Sequence, residues 1–470
     1  MDKVVVFTSS FDMVEVLDRH FDIRAIFCEN EQYNLMLFNY SKWRAIPLFM
    51  VNKESEIEEK IPTDVSLGVS FGFGLNAAMA GLVGNALGER KINEAKLLIT
   101  KGISLAVVIS IILMVFGIIC GPLVINLVSE VGSYREYSVR YFLILLSALP
   151  AFLISYTCNG ALQAQGDSVS MQRALIGAFF LIIIITPILI FGVPNLWLGI
   201  GFDGISLSVV ICQNLVMVFL LIQVKRSALG LHLTWKVSLT NFRGNYEIIK
   251  QMIPGCMSFQ MVIIGSLVVQ FALKGFGPNA LAGYNIGLRI EQLLLLPILG
   301  MTQALLPIVA QNYGAKNFQR VRLALFYCCS AGFVTMIIVY PIIWIFGSSV
   351  LKVFTPSSEV ISVGVSYLRI DGLILPLYAI LFSINSFLQG VKRPASIFWI
   401  GLFRQGLLTA FFIWIFIGVL GCDVWGVWVG AGASVFFGWM LSIFIAYKVA
   451  NKEIGGLWQK VKYKSEQPYL

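Results

Sequence analysis

Charge is what this 470-residue chain most lacks: only 13% of its residues are Asp, Glu, Lys or Arg, where soluble chains carry about 25%. With 58% hydrophobic residues and a mean hydropathy of +0.82, that shortfall excludes an ordinary soluble globular protein. Histidine is reduced to His20 and His232, neither near a cluster of titratable groups, and both read as surface residues. The cysteines (28, 120, 158, 212, 256, 328, 329 and 422) lack CxxC or other metal-ligand spacing, and most fall in apolar stretches. Such thiols behave as small hydrophobes, so neither disulfides nor a metal site is expected. The first fifteen residues contain Asp2, Asp12 and Glu15 and no long apolar core, so no signal peptide is read there. No GxGxxG occurs in the opening segment either.

What is present is apolar sequence in membrane-spanning lengths, recurring from about residue 65 to 450. Eleven helices are expected near 64–87, 97–127, 136–164, 170–193, 203–224, 249–273, 280–311, 321–348, 361–389, 395–419 and 424–448. The expected fold is an all-α polytopic membrane protein. Its surroundings are the lipid bilayer, and no nucleic-acid partner is expected. Alternate loops are basic: 88–101, 165–173, 225–250, 312–322, 390–393 and the C-terminal tail with Lys448 hold twenty Lys and Arg. The intervening loops and their flanks hold six, and one more, Arg404, lies inside a helix. By the positive-inside rule the basic loops and the C-terminus face the cytoplasm of a cell-membrane protein.

The chain also repeats itself. "LVGNALGERKINEA" (82–95) falls on "IVAQNYGAKNFQRV" (308–321), and "YFLILLSALPAFLISYTCNGALQ" (141–163) on "YLRIDGLILPLYAILFSINSFLQ" (367–389), both at an offset of 226 residues. Tyr141/Tyr367, Pro150/Pro376, Asn159/Asn385 and Gln163/Gln389 are thereby paired. Both copies start on one side of the membrane, so they are parallel repeats, an arrangement that places substrate cavities between halves.

The second copy opens with a helix at 250–277 whose counterpart would lie near 26–51. That stretch holds Glu29, Glu31, Lys42 and Arg44, too many charges for a bilayer interior. The first copy therefore lacks its first helix. Expected units are an atypical, soluble-like segment 1–60, a five-helix lobe 61–224, a linker 225–248, a six-helix lobe 249–450 and a tail 451–470. The opening segment is acidic, seven Lys/Arg against eleven Asp/Glu, and carries strand-like runs at 4–8, 23–28 and "AIPLFMV" around a short helix. It resembles the start of a formyltransferase or Rossmann-type domain, but about 60 residues cannot bury much core. No enzyme activity is expected of it.

Within the spans, Asp371 stands out, because an intramembrane carboxylate usually faces a cavity, a partner or an ion path. Tyr367 precedes it by four residues and shares its helix face. A carboxylate and a phenol suit a hard cation or a proton; pairing of Asp371 with Arg369 is the competing role. Glu291 follows Arg289 and is either a cation-coupling acid or one half of an interfacial ion pair. Asn159/Gln163 and Asn385/Gln389 are symmetric i, i+4 amides that either glue helices together or line a cavity.

"GLVGNALGERKINEAK", "RYFLILLSALPAFLISYTCNGALQAQGD", "LRIEQLLLLPILGMTQALLPIVAQNYGAKNFQRV" and "YLRIDGLILPLYAILFSINSFLQGVKRP" resemble the multidrug and toxic compound extrusion (MATE) transporters, over residues 64–450. The resemblance implies two helical lobes forming a V around a central cavity. It implies export of drugs or organic cations in exchange for Na⁺ or H⁺, usually by a monomer without organic cofactors. It places Tyr367 and Asp371 in a C-lobe cation site. Some family members carry a glutamate on the helix aligned with 250–273; here Gln260 is the nearest polar residue. No N-lobe ion site carries over. Two alternatives stay open: a lipid or lipid-linked oligosaccharide flippase of the same superfamily, and a truncated or fused product that does not transport.

Overall fold

The computed structural model describes residues 26–28, 48–50, 63–128, 133–193, 197–230 and 242–457. In the opening segment, β1 (Ile26–Cys28) pairs in parallel with β2 (Leu48–Met50), on two of the three strand-like runs. The run at 4–8, the short helix after it, and both histidines lie outside the described residues.

Helices follow at α1 Thr63–Gly88, α2 Ile92–Val128, α3 Ser133–Leu146, α4 Leu149–Gln163, α5 Val169–Phe191 and α6 Asp203–Arg226. The second half contains α7 Phe242–Leu273, α8 Pro278–Gly314, α9 Phe318–Phe354 and α10 Ser358–Gly390. Helix α11 spans Ala395–Val419 and α12 Val424–Glu453. Two-residue strands β3 (Gly192–Val193) and β4 (Trp197–Leu198) form a hairpin between α5 and α6. Among the described residues, nine of these helices are individually long and apolar enough to span a bilayer. The bent pair α3–α4 makes a tenth span, with a 41° break at the Leu149–Pro150 start of α4. The eleven expected spans thus all appear as helices.

The repeat survives folding in detail. Moved by 226 residues, α2 lands on the bounds of α9 and the end of α1 on the end of α8. The start of α5 likewise lands on the start of α11. Even the connections match, since Arg90 and Lys316, also 226 apart, both adopt left-handed backbone with φ of 59° and 57°. Non-glycine residues rarely do so, and here a tight turn between packed helices imposes it.

The eleventh span, α1, exposes none of its described side chains between residues 68 and 88. It packs against α2 and α4 in its own lobe and against α7, α8 and α10 in the other. Its sequence is rich in glycine and small residues, which lets backbones approach closely where no hydrophobic drive operates. A side chain at Gly88 would strike the Gln311 backbone, and one at Gly314 the Asn85 backbone.

This seam is closed by two reciprocal hydrogen bonds. Asn85 Nδ2 donates to the Gly390 carbonyl at 3.0 Å, and Gln311 Nε2 donates to the Ala164 carbonyl at 2.6 Å. Asn85 and Gln311 are 226 residues apart, as are Ala164 and Gly390, so the bonds are related by the repeat. Each accepting carbonyl lies at a helix C-terminus, α4 or α10, where backbone acceptors have no intrahelical partner. Each lobe therefore caps the other.

Beside the seam, Glu89 binds Lys91 at 2.7 Å and reaches Lys392 of the other lobe at 4.0 Å. The Lys91 hydrogen bond, aided by the Lys392 and Lys316 charges, holds the Glu89 carboxyl below its usual 4.5.

The pseudo-symmetry fails in one place. Gly74 of α1 lies against Met252 and Cys256 of α7, whereas Gly300 of α8, its 226-residue counterpart, has nothing within 4 Å among the described residues. The apolar face beside it, with Leu293 and Leu296, is exposed. A first helix of the first lobe would lie there, and the described residues contain none.

Two predictions follow from the seam. Removing both amides in the N85A/Q311A variant deletes two buried hydrogen bonds, each worth about 1 kcal/mol. Hydrogen–deuterium exchange at Leu87–Lys91 and Tyr313–Asn317 is expected to accelerate about tenfold or more, each single variant giving less. Because the Glu89 carboxyl is held low, its contribution is present above pH 4.5 and is lost as the pH falls through its lowered value. Glu89→Gln should therefore lower the melting temperature slightly at neutral pH in low salt, and by less when the pH is brought below 4.5.

Candidate functional site

The second lobe buries a charged and aromatic cluster between α7, α8, α10, α11 and α12. Helix α10 carries Tyr367 and Asp371 one turn apart, and α8 presents Glu291 to them. The Tyr367 hydroxyl donates to the Glu291 carboxylate, joining residues 76 positions apart. Both side chains are nearly inaccessible, at 6% and 7% exposure. Tyr367 and Trp428 of α12 meet edge to face at 5.1 Å. Tyr284 of α8 stacks on Trp428 at 5.7 Å and lies edge-on to Tyr367 at 5.2 Å. Rings thus fix the Tyr367 phenol in place, and the phenol fixes the Glu291 carboxylate.

Asp371 is half-buried, one turn beyond Tyr367 on α10. Its sequence neighbour Arg369 is exposed and lies over the Trp344 ring at 4.4 Å, on the side of α10 that faces α9. Arg289 is likewise exposed, while Glu291 points inward. Arg404 of α11 lies 5.5 Å over the Tyr378 ring of α10, seven residues past Asp371. The arginine is 94% buried.

The amide candidates separate into two groups. Asn159 donates to the Asn76 side chain of α1 at 2.9 Å, within the first lobe. Gln260 donates to Ser70 at 2.9 Å, across the lobes from α7 to α1. Both are ties between helices. Gln163 Oε1, Asn385 Oδ1 and Gln389 Nε2 are buried atoms without a hydrogen-bond partner among the described residues, and none of the three residues belongs to the acid cluster. The symmetric pairs do not make symmetric contacts.

Sequence reasoning did not single out Tyr284, Trp428, Asn85 or Gln311. The repeat carried a signal for several of them. Tyr141 and Phe202 of the first lobe form a ring pair at 6.0 Å, and 226 residues on stand Tyr367 and Trp428. This ring pair is common to both lobes, but the charges are not. Glu291, Asp371 and Arg404 correspond to Val65, Leu145 and Ala178.

The MatE family model matches residues 63–188 and 254–415, well over half of the chain. The multidrug export protein MepA of Staphylococcus haemolyticus is 23% identical over 323 residues, covering 68% of this chain and 69% of that protein. The probable multidrug resistance protein YpnP of Bacillus subtilis is 21% identical over 401 residues, 85% and 86% of the two chains. Among solved structures, an outward-facing multidrug resistance MATE family transporter of the MOP superfamily superposes with a TM-score of 0.78 at 19% identity. It covers 89% of this chain and 92% of that one. A MOP superfamily transporter from Pyrococcus furiosus, described as having a binding pocket of reversed polarity, gives 0.78 at 20% identity over 89% and 93%. With the helical repeat, the length of the match and the shared fold in agreement, this chain belongs to the MatE family of multi-pass membrane transporters.

Proposed function

We propose that the chain exports small amphipathic, cationic compounds by alternating access, in exchange for Na⁺ or H⁺ taken up at the second-lobe cluster. The observation that carries this reading is the joining of Tyr367 to Glu291 one turn from Asp371, at a depth where an unneutralised carboxylate is costly. A site of two acids and a phenol accepts a proton or a small cation and releases it when water enters. The closed seam supports the second half of the cycle. Its capping bonds hold shut the end bearing the basic loops, assigned to the cytoplasm by the charge count, and they break when that end opens. The relatives' printed descriptions as multidrug proteins support the substrate class. A monomer in the cell membrane suffices, since the cluster draws on one chain.

A non-transporting product is the second reading, favoured by the α8 face at Gly300, which no described residue covers. One experiment separates the two. Expressed in a pump-deficient host, the chain should lower accumulation of a fluorescent organic cation well below the vector control. Verified membrane insertion without efflux would instead select the second reading. In the same assay Asp371→Asn and Glu291→Gln should fall to the vector level. Tyr367→Phe, which loses a hydrogen bond to a charged group worth about 1.5–3 kcal/mol, should lose about tenfold or more in rate.

A further inference from the structure

We propose that the end of the seam bearing the basic loops binds a phosphate group between the lobes, held by Lys91 of the first and by Lys316 and Lys392 of the second. The proposal is independent of which compound or cation the chain moves. A phosphate that touches both lobes stabilises the state in which they meet.

Its ground is four turns built alike. Helix α1 packs against α4, α8 and α10, and all four end at this face. Each end closes with the same pair of backbone hydrogen bonds. After α1 the Lys91 N–H donates to the Ala86 carbonyl and the Arg90 N–H to that of Leu87. After α8 the donors are Asn317 to Asn312 and Lys316 to Tyr313. After α10 they are Arg393 to Leu388 and Lys392 to Gln389, and after α4 Asp167 to Leu162 and Gly166 to Gln163. This closure needs one left-handed residue, a place that glycine usually takes. Gly166 takes it after α4, with φ of 90°. Arg90, Lys316 and Lys392 take it after the other three, with φ of 59°, 57° and 61°.

Among the described residues these three are the only non-glycines with positive φ, and all are basic. Strained residues of this kind cluster at ligand clamps and switch regions. A cation at a helix C-terminus also complements the helix dipole. That role would apply equally to α4, whose end carries Gly166 and Asp167 instead.

The cations converge. A side chain at Gly88 or Gly314 would strike the backbone of the opposite lobe, so the turns after α1 and α8 face each other closely. Between them lies an open cleft of about 470 Å³, lined by Glu89, Lys91, Tyr313, Gly314, Lys316 and Phe318. Lys392 stands 4.0 Å from Glu89. Lys91 binds Glu89 at 2.7 Å and Glu94 at 3.6 Å. Arg90 and Lys316 enter no ion pair among the described residues. Four cations thus meet two carboxylates, leaving an excess that a phosphate dianion matches. Like charges gathered by closure oppose it, and a phosphate among them removes that opposition through charge-assisted hydrogen bonds. Glu89 lines the same cleft and competes with the phosphate for Lys91.

The phosphate comes either from an anionic lipid headgroup or from a soluble ion, and one experiment separates the sources. The full chain is placed in nanodiscs, with hydrogen–deuterium exchange at Leu87–Lys91 and Tyr313–Asn317 reporting closure. In phosphatidylcholine alone, inorganic pyrophosphate should slow exchange at both segments severalfold and saturably, which identifies a soluble ligand. Slowing by phosphatidylglycerol in the disc, with nothing added by pyrophosphate, identifies a lipid headgroup. The K316G/K392G variant loses two cations while relaxing two left-handed turns. It should keep or raise the melting temperature, yet require about tenfold or more of the anion, the size expected for lost hydrogen bonds to a charged group. Glu89→Gln, lacking the competing carboxylate, should require less. Exchange that neither anion slows, slowing that sodium chloride reproduces at equal ionic strength, or a glycine variant that responds as the wild type does would overturn the site. A fall in the melting temperature of that variant would overturn it too, by showing the two lysines to be structural.

Discussion

Helix α1 is enclosed by protein on every side, and the spacing of its glycines sets how closely two lobes can meet. Lipid tails are as apolar as leucine, so burying leucine against leucine gives helices in a bilayer little reason to associate. What holds them is close backbone contact and hydrogen bonds that lipid cannot supply. Gly74, Gly84 and Gly88 let α7 and α8 approach α1, and the approach brings Asn85 and Gln311 within reach of carbonyls that no intrahelical donor satisfies.

The same economy governs the second-lobe cluster. Each charged group is buried at a cost that only its neighbours offset. Rings position the phenol, and the phenol holds Glu291. The first lobe keeps the ring pair Tyr141 and Phe202 and has Val65, Leu145 and Ala178 where the second has Glu291, Asp371 and Arg404. This division explains why the two lobes agree in helix bounds and turn conformations yet differ in what they could bind.

The gap at Gly300 follows from the repeat as well. Pseudo-symmetry demands a helix there, matching the place where α7 meets Gly74, and the described chain offers an exposed apolar face instead. Residues 26–51 were legible as unable to span, because four charged side chains stand in them. What could not be read from them was the consequence, namely which surface of α8 would be left open.

By itself the sequence determined the order of the eleven described spans, the 226-residue repeat and the identity of the membrane acids. These follow from local apolar length, self-similarity and the cost of buried charge, all of which act along the chain. Only the tertiary structure decided the partners. It turned Arg369 and Arg289 outward, gave Glu291 to Tyr367, set Arg404 over the Tyr378 ring, and made Asn159 and Gln260 ties between helices. Those choices depend on how helices rotate and cross, which small residues set through contacts between segments tens to hundreds of positions apart. No local period in the chain carries that information.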